Sequence, residues 1–173
     1  KAAPAVMNAV VQQGLTKTQI LQNYGCVVGV SDVSLQVRRG EIFCIMGLSG
    51  SGKSTLIRLL NKLITPSAGK IVVKGKELSS LNAAQLREVR ARHIGMVFQS
   101  VALLPNRTVL ENTAFGLEVQ GVGKAERYKV AEQALAKVGL SDWMSRYPSE
   151  LSGGMQQRVG LARAITADPE VIL

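Results

Sequence analysis

The stretch GLSGSGKST, Gly47–Thr55, places Gly47, Gly52, Lys53 and Ser54 in the spacing G-x-x-x-x-G-K-[ST]. Glycines let a loop wrap closely enough for successive backbone N–H groups to face phosphate oxygens. A helix starting near Lys53 adds the positive end of its dipole. Gly47, Leu48, Ser49, Gly50, Ser51, Gly52, Lys53, Ser54 and Thr55 therefore read as a phosphate-binding loop. Within it the Lys53 ammonium reaches the β- and γ-phosphates of a nucleoside triphosphate and the Ser54 hydroxyl ligates Mg²⁺. The alternative is a flexible Gly/Ser turn. The four fixed positions match by chance at about one site in ten thousand, and the apolar run before and amphipathic pattern after make chance rarer still.

A second glycine turn lies about a hundred residues on, in PSELSGGMQQRVGLARAI, Pro148–Ile165. Ser152 is placed to cap a helix. Gly153 and Gly154 keep the helix start clear of side chains, so its N–H groups can approach an anion closely. Taken alone this is an ordinary helix beginning; beside a phosphate loop it reads as a second phosphate contact.

Positioning these turns requires a strand before the first and a helix after each. IFCIM, Ile42 to Met46, is a continuous apolar run, as expected of a strand buried on both faces, with Cys44 as a small buried residue. Leu56, Ile57, Leu60, Leu63 and Ile64 form one helical stripe after Lys53. Thr16 caps a short helix in TKTQILQNY; SDVSLQV, IVVKGK and IGMVFQ read as strands, with RRGE and TPSAGK as turns. NAAQLREVRAR reads as a charged helix, and helices are expected near Val109–Val119 and Ala125–Val138, the second aligning Val130, Ala134 and Val138. A further helix runs from Leu151 toward Asp168-Pro169, where proline stops it, and VIL opens a strand.

Length and composition fit one well-buried domain: 173 residues, 46% hydrophobic, with no apolar run near the roughly 20 residues needed to span a bilayer. The N-terminus lacks a signal-peptide pattern. A net charge of +9 admits an anionic partner or simply a solvated basic surface. Three Phe, three Tyr and one Trp leave little for base stacking, so nucleic acid is not expected. Cys26 and Cys44 have no metal-ligand spacing, and the single His93, beside Arg92, reads as a surface residue.

Leu151, Ser152, Gly153, Gly154, Met155 and Gln156 resemble the signature motif of ABC-type ATPases, and the upstream phosphate loop and Gln99 of MVFQ stand in the order of that family's Walker A and Q-loop. The resemblance covers the chain from about Gly14 onward. It implies an α/β P-loop NTPase with a mostly parallel core sheet, an antiparallel β subdomain and a helical signature subdomain, C-terminally truncated. It divides the chain into an N-terminal extension (1–25), the β subdomain and P-loop core (26–98), the Q-loop and helical subdomain (99–150), and the signature helix with the start of the Walker B strand (151–173).

The resemblance further implies ATP and Mg²⁺ as ligands, Lys53 and Gln99 as catalytic groups, and Ser54 and Gln99 as metal contacts. ATP lies between the phosphate loop of one subunit and the signature turn, Leu151 to Gln156, of its twin. Tyr24, 23 positions before Gly47, is the candidate for stacking on adenine or a surface tyrosine. The acids that follow the DPEVIL stretch in the family, and its switch histidine, are not among the 173 residues, which implies poor hydrolysis by this piece alone.

About fifty residues separate Gln99 from Leu151 without a sustained heptad repeat, unlike DNA-maintenance members of the family. FQSVALLPNRTVLENTAFGL resembles importer subunits, closest to those for glycine betaine and proline, although Asn106 and Arg107 stand where many importers have a histidine and no CBS domains are present. That resemblance implies a homodimer at the cytoplasmic membrane face, membrane permease subunits and a substrate-binding protein. Another small solute, such as an amino acid, or a soluble ATPase acting on nucleic acid are the alternatives. Val101, Leu103 and Leu104 either form a docking surface for the permease or pack internally.

Overall fold

The helices that begin at Lys17, Ala83, Val109 and Gly153 are started by side chains that reach back to the backbone. The structure, a computed structural model, describes residue 6 and residues 13–173. It divides into two units, Lys1–Ser79 and Ser80–Leu173. In the first, α1 (Lys17–Tyr24) opens with a reciprocal capping box between Thr16 and Gln19 and closes on left-handed Gly25. Ile20 on α1 is fully buried with Val6, and Leu15, Cys26 and Val28 pack around them. A turn at Arg38–Glu41 is closed by the Glu41 N–H donating to the Arg38 carbonyl at 3.1 Å. The chain then passes through the glycine loop into α2 (Lys53–Leu60).

A hairpin follows, β1 (Val72–Val73) antiparallel to β2 (Lys76–Glu77). Its two-residue turn, Lys74 and Gly75, has positive φ at both positions (51° and 75°), the geometry whose twist matches that of paired strands. IVVKGK is thus a strand and its turn, not one strand.

Three other expectations are corrected. Residues 33–37 and 42–46 form no strand, because among the described residues no neighbouring strand supplies a ladder. Ile42 and Met46 are 91% and 89% exposed and Cys44 is exposed, so the run is not buried on both faces. The stripe after Lys53 ends early: left-handed Lys62 (φ 54°) turns the chain, leaving Leu63 and Ile64 exposed.

In the second unit α3 (Ala83–Arg92) begins at a capping box of Asn82 and Gln85 and leads into β3 (Ile94–Gly95). IGMVFQ forms a strand only over these two residues, which pair in parallel with β4 (Val171–Ile172). His93, at the end of α3, has Nδ1 at 2.7 Å from a Glu170 carboxylate oxygen and so ties the approaches to both strands. Between the strands lie α4 (Val109–Val119), α5 (Lys124–Lys137) and α6 (Gly153–Ile165), close to the boundaries expected. These three helices enclose a core in which Val109, Leu135, Val159 and Ala162 are fully buried. On α5 the buried positions are Ala131, Ala134 and Leu135, with Val138 packed against the core.

Two polar devices hold this unit. Asn112 is fully buried, and its amide is saturated: Oδ1 accepts the Leu104 N–H, and Nδ2 donates to the carbonyls of Leu104, Arg107 and Thr108. Arg107 grips Glu118 through two hydrogen bonds of 2.9 and 3.1 Å, and Arg127 approaches the same carboxylate at 3.3 Å.

Three carboxylates here sit below their ordinary pKa: Glu111 through the Thr108 N–H, Glu118 through the Arg107 guanidinium, and Glu150 through the Tyr147 N–H. A lowered folded-state pKa contributes stability that is complete above the unfolded value, near ~4.3, and is lost as pH falls through the folded one. The melting temperature should therefore hold down to about pH 5 and fall below it. Glu118→Gln should make that fall shallower, as followed by circular dichroism. An unchanged acid slope in that variant would show that the Arg107 pair carries none of it.

Candidate functional site

The shape of the glycine loop is set by backbone approach. Gly50 and Gly52 have φ of 75° and 99°, conformations that side-chain-bearing residues rarely adopt. The Ser51 N–H donates to the Leu48 carbonyl at 3.2 Å, and the Gly52 carbonyl accepts the first helical bond of α2, from the Leu56 N–H at 2.8 Å. A Cβ on Gly52 would stand 2.3 Å from the Gly29 carbonyl oxygen, and one on Gly29 would stand 3.2 Å from the Thr55 methyl. Two glycines thus allow the segment at Gly29 to lie directly on the loop.

Beside this contact is a pocket of about 340 Å³ lined by Gly50, Gly52, Lys53, Ser54 and Thr55, and by Lys17 with residues 27–29. The Lys53 ammonium lies across the loop, donating to the carbonyls of Gly47 and Leu48 at 2.7 and 2.6 Å, with Ser51 Oγ at 3.4 Å. Positive charge and the N-terminus of α2 therefore meet at one place, which is what a polyphosphate requires. The Ser54 hydroxyl has no hydrogen-bond partner among the described residues and is free to take a metal ion. Gly47 and Leu48 serve through their carbonyls, the Leu48 side chain being 85% exposed; Ser49 and Ser51 are exposed loop positions.

Tyr24 is the last residue of α1 and does not line the pocket. Lys17, Val27 and Val28 do, and the sequence reading missed them. Only Gly29, a glycine inside the apolar run CVVGV, marked a close backbone approach there.

The second glycine turn lies in the second unit. Ser152 caps α6, its Oγ accepting the Met155 N–H at 3.3 Å. No atom lies within 4 Å of where a Cβ would stand on Gly153 or Gly154, so the first turn of the helix is open. Its neighbours fix it: Leu151 is buried in the core, Met155 packs against that core, and Gln156 Nε2 donates to the Pro148 and Leu151 carbonyls at 3.0 and 3.3 Å. That clamp by Gln156 carries no spacing signal.

Gln99 lies in an exposed turn of the same unit. The residues just after it are held by α6: Arg163 donates to the Val101 and Ala102 carbonyls at 3.0 and 2.8 Å. A Cβ on Gly160 would stand 3.1 Å from a Val101 methyl. Burial lowers the Arg163 pKa from its ordinary value, and the two carbonyls offset part of that cost. Leu103 packs against the core and a Val101 methyl lies against Gly160, so both half-buried residues make internal contacts. Among the described residues no three His, Cys, Asp or Glu side chains group as a metal site, and no helix is long and apolar enough to cross a membrane.

Comparison with known proteins adds to this geometry. The ABC transporter family model matches residues 30–173. The chain is 56% identical over 166 residues to the glycine betaine/carnitine transport ATP-binding protein GbuA of Listeria monocytogenes, covering 96% of this chain and 42% of that protein. It is 54% identical over 163 residues to the glycine betaine/proline betaine transport system ATP-binding protein ProV of Escherichia coli, covering 94% and 41%. A solved dimeric structure of the ATP-binding cassette MJ0796, in a post-hydrolysis state bound to ADP and Pi, matches with a TM-score of 0.78 at 35% identity, over 83% of this chain and 64% of that one. The chain thus spans about two fifths of the length of these curated relatives.

Replacing Gly52 by alanine should cost about 2 kcal/mol or more, since the new methyl meets the fixed Gly29 carbonyl and the backbone is strained. Gly50→Ala, with nothing within 4 Å, should cost only about 1 kcal/mol of strain. Urea unfolding of both variants checks the order; equal losses would mean the Gly29–Gly52 contact is not a constraint.

Proposed function

The chain belongs to the ABC transporter family, and from that premise we propose that it is the ATP-binding part of a subunit that energises import of a glycine betaine-type osmoprotectant. The fold fits: a parallel strand pair, an antiparallel hairpin and a helical unit beginning its last helix at the two-glycine turn. The observation that carries the reading is the Lys53 ammonium held over a glycine loop beside a pocket of about 340 Å³.

In this reading Lys53 and the backbone N–H groups from Gly50 to Ser54 bind the triphosphate and stabilise charge on the transferring γ-phosphate. Gln99 positions the attacking water. Ser152 and Gly153 of a second copy close on the other side of the same triphosphate, so two subunits pair head to tail around two nucleotides. Ser54, whose hydroxyl on the pocket has no partner among the described residues, would hold Mg²⁺, with Gln99 as the second expected contact, and the ion would supply charge that offsets the phosphates. Binding closes the dimer and hydrolysis releases it, a differential affinity that a membrane permease can use as motion. The place of work is the cytoplasmic membrane face, with permease subunits and a substrate-binding protein as partners. The relatives' names support the solute class.

Lys53→Ala should weaken ATP binding about a hundredfold by calorimetry, the loss of charge-assisted bonds to phosphate. In the whole protein Gly153→Val should leave nucleotide binding intact and abolish ATP-dependent dimers in light scattering. Micromolar ATP affinity retained without Lys53 would contradict the site assignment. Uptake of labelled glycine betaine that is independent of this subunit would contradict the transport role.

A further inference from the structure

Gln99 lies between two fastenings of its own unit. Before it, the Val97 N–H donates to the Leu173 carbonyl at 2.8 Å, continuing the parallel pair of β3 and β4. After it, the Arg163 guanidinium spans two consecutive carbonyls, those of Val101 and Ala102, at 3.0 and 2.8 Å. Phe98, Gln99 and Ser100 between them are exposed. The second fastening sits on strained backbone: Ala102 has φ of 45°, a left-handed conformation in which its Cβ crowds the following carbonyl. Such a kink persists only where its surroundings dictate it. The planar fork of an arginine does so, because two N–H groups in fixed geometry fit two carbonyls in one relative orientation. Arg163 is itself set in place on α6 between Ala162 and Ala164, both buried. On the same helix Gly160 is bare where Val101 lies: a Cβ there would stand 3.1 Å from a Val101 methyl. Without the fork, the next backbone after Gln99 held by a hydrogen bond from outside the loop, among the described residues, is Leu104 on Asn112. The unfastened stretch would then run over residues 98–103 instead of 98–100.

We propose that Arg163 is a positioning residue for ATP hydrolysis: its fork holds the kink at Ala102, and the kink holds Gln99 where it orients the attacking water. This rests on the role given to Gln99 above and adds the residue that fixes its place. Arg163 acts through the loop and not on the nucleotide. Its loss therefore leaves binding alone and slows the step that needs an aimed water. A side chain on a slack loop is rarely in attacking geometry, and small misplacements are costly there.

A double-mutant cycle on ATP turnover tests this in the whole protein. Arg163→Met keeps an apolar stem and removes the donors. It should lower kcat about tenfold while KM and calorimetric ATP affinity stay within about twofold of wild type. Gln99→Ala should lower kcat at least as far. The double variant should be no slower than Gln99→Ala alone, because nothing is left to position. Arg163→Lys, which can still donate but lacks the fork, should fall between wild type and Arg163→Met. If melting curves show that Arg163→Met does not fold, the cycle is run with Arg163→Lys. Losses that multiply in the double variant overturn the inference. So does a folded Arg163→Met protein that turns over at the wild-type rate, or one whose ATP affinity falls in proportion to its rate. Gln99→Ala at the wild-type rate overturns instead the role given to Gln99, and wild-type protein that binds no ATP overturns the nucleotide reading itself.

Discussion

The pocket at the glycine loop depends on one contact between backbones, Gly52 against the Gly29 carbonyl. A side chain on Gly52 would have to move the Gly29 carbonyl, and one on Gly29 would press on the Thr55 methyl. Because they touch, the loop that presents N–H groups and the segment that presents Val27 form one pocket. The left-handed conformation of Gly52 also begins α2 at Lys53, which brings the helix dipole and the ammonium to the same mouth. Remove the contact, and the charges survive but their common focus does not.

The second unit solves a different problem. Its two-glycine turn is bare, so nothing on the turn itself fixes its position. Fixation comes from behind: Leu151 in the core, the Gln156 amide on two carbonyls, and the Ser152 cap. Glu150, bonded to the Tyr147 N–H and to Arg146, braces the approach to the same turn. Buried Asn112 does similar work for the loop at Leu104–Thr108, where four hydrogen bonds make a polar side chain tolerable with no solvent access.

Much of this was legible in the sequence, for reasons that differ by residue. Gly47, Gly52, Lys53 and Ser54 are readable because phosphate chemistry demands fixed types at fixed spacing. The helix start at Thr16 is readable because a capping residue acts on its own neighbours. The strand at Ile42–Met46 misled because apolar composition reports a wish for burial, while a strand needs a partner that local sequence cannot supply. IVVKGK misled by less: its Lys74-Gly75 turn is a local signal that was passed over. Lys17 and Val27 were illegible, since their meaning comes only from a fold that sets them across from the loop.

Helix α6 is about 20 Å long, open at its glycine end and, toward its other end, riveted by Arg163 to the carbonyls just past Gln99. Its middle is buried with Val159 and Ala162 in the core, and its glycine end is clamped by Gln156 as well, so the helix is a strut secured along its whole length. A strut of this kind fixes the spacing between the bare turn and the loop after Gln99, and a substitution that loosens either fastening alters that spacing.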